Sequence, residues 1–132
     1  MSFSGKRSLH VPGVTHGPTP IPMGARVGNL ICSSAISGKD PASDSLPAEG
    51  VDQVRFAFAN METLLRNGGA TVADLVKVTV FLKDNSLRDA VNDEWLRLFP
   101  DPDDRPARHI VPTDLQRGQL IQLEVMAVVQ EG

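Results

Sequence analysis

The run that most constrains this chain is its last extended stretch. Residues 119–130 alternate without a break: Ile121, Leu123, Val125, Ala127 and Val129 share one face, and Leu120, Gln122, Glu124, Met126 and Val128 share the other. A strand with helices on one side and water on the other carries a single apolar face. This one is largely apolar on both, so its second face needs a cover. Another copy of the same chain is the simplest cover, and a homo-oligomer is expected.

The rest of the pattern supplies what packs on the first face. Val51, Val54, Phe58, Met61, Leu64 and Leu65 keep the three-to-four spacing of a helix over 51–67, with Gly68 and Gly69 as its left-handed cap. Thr71 to Asp74 reads as a capping-box turn, and residues 76–82 alternate as a strand. A second helix over 87–99 places Leu87, Val91, Trp95 and Leu98 on one side, with Asn85 or Ser86 as its cap. The proline-rich turn 100–106 ends it, and a short strand follows over 107–111. Upstream, Pro12, Pro18, Pro20 and Pro22 forbid a helix, while Gly28-Asn29 marks a turn between extended runs at 25–27 and 30–36. The loop over 37–50 is longer than most connections, which points to function or contact. The reading is one domain over 1–132, with 1–19 as an extended Gly/Pro-rich segment.

Composition narrows the function classes. With 132 residues, 13 Lys plus Arg against 16 Asp plus Glu and a formal net charge of -3, the chain has no broad basic surface for nucleic acid or an anionic membrane. One Trp and no Tyr leave few rings for stacking bases. No apolar run approaches the roughly 20 residues of a membrane helix. Cys32 is the single cysteine, so no intrachain disulfide and no paired-cysteine zinc site can form. With no secretory leader at the N-terminus, a cytoplasmic location is expected. No metal site and no cofactor is expected, since His10, His16 and His109 lack ligand spacing and no phosphate or dinucleotide fingerprint is present.

Two residues stand out for chemistry. Glu124 sits among apolar neighbours on the last strand, where desolvation raises a carboxyl pKa and suits it to carry protons near neutrality. Arg108 opens a short strand with no acidic residue within three positions, and a fixed guanidinium grips a carboxylate through two parallel hydrogen bonds. His109 should point to the opposite face from Arg108. The residues by themselves describe a small acid-binding α+β oligomer.

Taken in order, Gly28-Asn29 through Ser34, Val78 through Asp84, Asn92, Trp95 and Phe99, Arg105-Pro106-Ala107-Arg108, and Leu123-Glu124-Val125 resemble the RidA (YjgF) family. The resemblance implies a chorismate-mutase-like α+β fold, a mixed β-sheet with two helices on one face. It implies a homotrimer with sites between subunits. It further implies cofactor-free hydrolytic deamination of reactive 2-imino and enamino acids to 2-keto acids and ammonia. On that resemblance Arg108 holds the substrate carboxylate, Glu124 handles water and protons, Ser34 lines the site and Asn92 supports it. The family's site Tyr falls on Ile21, the Gly after the lining Ser falls on Ala35, and a position sometimes held by Cys falls on Ile110. These changes make the cleft more apolar and suggest a different or larger substrate. The alternative reading is a non-catalytic trimer that binds small 2-keto acids or related carboxylates, in a sensing or chaperone-like role.

Overall fold

The computed structural model describes residues 5–130, so residues 1–4 of the expected extended segment lie outside it. Strands β1 (Ser8–Leu9), β2 (Gly24–Val27), β3 (Leu30–Ser33) and β4 (Ile36–Ser37) lead into helix α1 (Gly50–Asn67). Strand β5 (Leu75–Leu82), helix α2 (Arg88–Leu98), and strands β6 (Ala107–Pro112) and β7 (Ile121–Val128) complete the order. The strands form one mixed sheet in the order β1-β2-β3-β7-β5-β6, with β4 also pairing with β7. Among the described strands only β5 and β6 run parallel, joined across α2, while β7 pairs antiparallel with its neighbours. This is the α+β architecture expected, with both helices on one side of the sheet.

The helices pack there because β5 and β7, at the middle of the sheet, turn an apolar face toward them. Val78, Val80 and Leu82 of β5 and Ile121, Leu123, Val125 and Ala127 of β7 are at most 3% exposed. They meet Val54, Phe58, Met61, Leu64 and Leu65 of α1, all at 1% or less, and each such side chain favours folding by about 1.5–3 kcal/mol before entropy is counted. Gly38 runs so close beneath α1 that a Cβ there would sit 2.2 Å from the Gln53 carbonyl oxygen.

Four details depart from the sequence pattern. Val51 fits the α1 periodicity yet is 62% exposed in the first turn of the helix. Val76 fits the alternation of β5, but the register slips between Leu75 and Lys77, and the bulge leaves it exposed. The turn before α2 is a 3-10 turn over Asn85–Leu87, and its cap is Asp84, which accepts from the Ser86 amide. Of the glycine pair after α1, Gly69 takes the left-handed conformation at φ 80, while Gly68 has φ -90.

The other face of the sheet is open in the single chain. Val27, Leu30, Met126 and Val128 are 44–65% exposed on it, and Cys32 is exposed beside Met126. Glu124 stands on this open face, opposite Thr79.

Candidate active site

The residues singled out from the sequence fall in three places. Arg108, Ile110 and Asn92 belong to the first. Register sets Arg108 beside Val78 and Ile110 beside Val80, so both point to the helix side of the edge strand β6. There the Arg108 guanidinium carbon lies 5.0 Å from the centre of the Trp95 ring of α2. Trp95 is itself steadied by Phe99, with ring centroids 4.6 Å apart. Arg88, Asn92 and Trp95 follow one another at helical spacing and share one face of α2.

This surrounding leaves Arg108 poised for an anion. Its Nη1 is buried without a hydrogen-bond partner, and no carboxylate among the described residues pairs with it. Burial first, and the like charge of Arg88 second, lower its pKa from the ordinary guanidinium value. It stays a cation at neutral pH, because a guanidinium starts from far above neutrality. A desolvated cation stacked on a ring, with an unused donor, favours a carboxylate strongly. The sequence pattern marks Arg108, and the resemblance adds Asn92; Trp95 is placed only on the apolar side of its helix, and nothing in the local spacing points to Arg88, because α2 meets β6 only in the folded chain.

The second place holds Ile21 and Ala35. They line a cleft of about 500 Å³ with His16 and Lys39 from the loops, Arg117 from the β6–β7 connection, and Gln122 of β7. No acidic side chain lines it. Lys39 donates to the Thr15 carbonyl at 3.0 Å and lies 3.3 Å from Asp44, while Gln122 donates to Gln119 at 2.8 Å. Burial, then the charge of Lys39, lower the pKa of His16. Ser34 precedes Ala35, but its hydroxyl is spent on the Pro22 carbonyl at 2.9 Å, so it braces the wall of the cleft. The cleft is gathered from several loops, which is why no local spacing in the sequence announces Lys39, Arg117 and Gln122.

Glu124 is in the third place. It lies on the open face of the sheet in a shallow hollow with Cys32, Lys77 and Thr79. Within one chain it is therefore on the opposite face from Arg108, and it does not line the cleft of Ile21 and Ala35. His109 shares the open face through its pairing with Thr79, as alternation from Arg108 requires. Among the described residues no group of three or more His, Cys, Asp or Glu side chains is gathered to hold a metal ion, and no helix is long and apolar enough to cross a membrane.

Comparison with known proteins gives these features a family. A family model described as Endoribonuclease L-PSP matches residues 22–130. A RutC family protein of Haemophilus influenzae is 35% identical over 105 residues, covering 77% of this chain and 81% of that protein. The 2-iminobutanoate/2-iminopropanoate deaminase of Escherichia coli K12 is 31% identical over 111 residues, covering 83% of this chain and 87% of that one. The crystal structure of the Escherichia coli YjgF gene product superimposes with a TM-score of 0.83 at 27% identity, covering 95% of this chain and all of that one. The chain, with its mixed sheet, its two helices on one face and its match over nearly the whole length, belongs to the Endoribonuclease L-PSP (YjgF/RidA) family.

Proposed function

We propose that this protein hydrolyses reactive 2-imino and enamino acids to 2-keto acids and ammonia, with Arg108 gripping the substrate carboxylate. The observation that carries the reading is Arg108 itself: stacked on Trp95, short of a partner at Nη1, and unpaired with any carboxylate of the described chain. Relatives at 26–31% identity that are named imine deaminases support it.

In the proposed reaction an enamine first tautomerises to its imine. Water then adds through its oxygen to the C=N carbon, and the nitrogen takes a proton. The hydroxyl proton of the resulting carbinolamine passes to its nitrogen, the C–N bond breaks as the C=O bond forms, and the products are the 2-keto acid and ammonia. Arg108 contributes by orienting the substrate and by stabilising its carboxylate in a desolvated setting. Glu124 holds water or relays the proton.

Arg108 and Glu124 lie on opposite faces of one sheet, so the reading requires more than one copy. A homotrimer whose open faces meet at its centre satisfies this, because it covers Val27, Leu30, Met126 and Val128 and brings edge strand β6 of one subunit toward the loops of the next. The sites then lie between subunits, and the partner molecule is a small carboxylate-bearing imine or enamine.

The test generates 2-iminopropionate and bulkier imino acids with an amino-acid oxidase and traps the survivors with semicarbazide. Wild type is expected to remove at least one imine faster than buffer, with Arg108→Ala lowering kcat/KM by about a hundredfold or more. Wild type indistinguishable from buffer for every imine would overturn the reading in favour of a keto-acid binding trimer.

A further inference from the structure

The cleft of Ile21 and Ala35 has a charge pattern that a simple imino acid does not use. Its walls carry His16, Lys39 and Arg117 and no acidic side chain. Asp44 lies behind Lys39 and offsets part of its charge, but Arg117 has no partner among the described residues. The Nε2 atom of His16 is also buried without a partner. Only two non-glycine residues in the described chain adopt positive φ: Arg117 at 60, which lines this cleft, and Asp44 at 52, which holds Lys39 from behind. Such backbone is costly and persists where the surroundings hold it in place. Here it presents a guanidinium at the mouth of a cavity large enough for a four- or five-carbon acid.

We propose that this cleft takes the distal carboxylate of a dicarboxylic 2-imino or 2-enamino acid, with Arg117 as the residue that binds it and Lys39 reinforcing the charge. The proposal rests on the deaminase reading, in which Arg108 holds the carboxylate next to the imine carbon. It adds that a second anion, and not an apolar side chain, fills the space beside Ile21 and Ala35. A second cation with no acidic partner selects a dianion over a monoanion, and one charge-assisted contact is worth about tenfold or more in kcat/KM.

The experiment compares 2-iminopropionate, made from alanine, with iminosuccinate and 2-iminoglutarate, made from aspartate and glutamate by the matching oxidases. A parallel calorimetric titration compares 2-oxoglutarate with 2-oxobutanoate and needs no turnover. The variant is Arg117→Asn, because Asn tolerates the left-handed backbone; Arg117→Lys serves as the charge-retaining rescue. The expected result is a kcat/KM about tenfold or more higher for a dicarboxylic imine, with the preference lost in Arg117→Asn and partly restored in Arg117→Lys. Equal rates for mono- and dicarboxylic imines would overturn the proposal and leave the deaminase reading standing. If no imine is turned over, the deaminase reading falls and the titration alone decides. Binding of 2-oxoglutarate about tenfold tighter than 2-oxobutanoate, dependent on Arg117, then upholds the dicarboxylate cleft, and equal binding removes it.

Discussion

Two arginines illustrate how differently one side chain is used at the residue scale. Arg26 is 6% exposed, and its guanidinium donates to the Gly28 carbonyl at 2.9 Å, the Gly68 carbonyl at 2.6 Å and Asn29 Oδ1 at 3.3 Å. It ties the β2–β3 turn to the end of α1, so its role is structural. Replacing it with Met leaves those acceptors without their donor, and Arg26→Met is expected to lower stability by about 3 kcal/mol, read as a fall in the urea midpoint at unchanged m-value. Arg108, by contrast, has an unused donor. Its removal is expected to leave the urea midpoint nearly in place while the imine assay collapses. Because Lys offers neither the flat stacking surface nor the bidentate fork, Arg108→Lys should recover little of the loss.

At the scale of elements, α1 does more than cover the sheet. Gln53, 2% exposed on its first turns, donates to the Pro47 carbonyl at 3.1 Å and the Gly118 carbonyl at 3.2 Å, and accepts from the Leu120 amide at 3.0 Å. Asn60, two turns on, donates to the Ser37 and Lys39 carbonyls. These two amides hold the loops that bring Lys39, Arg117 and Gln119 to the cleft. Gln53→Leu keeps the volume but strands one amide and two carbonyls, and it is expected to cost about 2–3 kcal/mol. Limited proteolysis should then cut the 113–120 connection faster than in wild type. Element existence was legible because burial imposes period: α1, β5 and β7 follow from their apolar spacing. Their irregular ends were not, as the bulge at Val76 and the Asp84 cap show, since these answer to register and local hydrogen bonds.

For the whole molecule, the open sheet face and the titrating groups make separate predictions. If copies meet through that face, a charge at Leu30 or Val128 is buried unpaired in the interface. Leu30→Asp and Val128→Glu are each expected to shift the protein from its oligomer to monomer in sedimentation equilibrium. The same variants should lose imine turnover although neither touches Arg108. The pH dependence follows from His16, whose folded pKa lies below the ordinary 6.5 because of burial and then Lys39. Between the folded value and 6.5 the unfolded chain binds the extra proton, so stability rises with pH there and falls as pH drops through that window. The urea midpoint should therefore decline as pH falls through 6.5, and the decline should be shallower in His16→Gln. Asp44, held below 3.8 by the Thr15 hydroxyl and amide first, adds its loss only at lower pH.

The sequence by itself determined the two helices, the strands β5, β6 and β7, the apolar character of both faces of β7, and Arg108 as a cation with no local acid. All of these are written in short-range spacing, and burial enforces such spacing residue by residue. Only the tertiary structure decided that Arg108 and Glu124 face opposite sides of the sheet. Arg108 on β6 and Glu124 on β7 are related only through β5 between them, and whether they share a face follows from two registers that no single segment encodes. It also decided that Trp95 lies under the guanidinium, and that His16, Lys39, Arg117 and Gln122 meet around Ile21 and Ala35. Those residues come from loops and strands far apart in the chain, and long-range pairing alone brings them within reach.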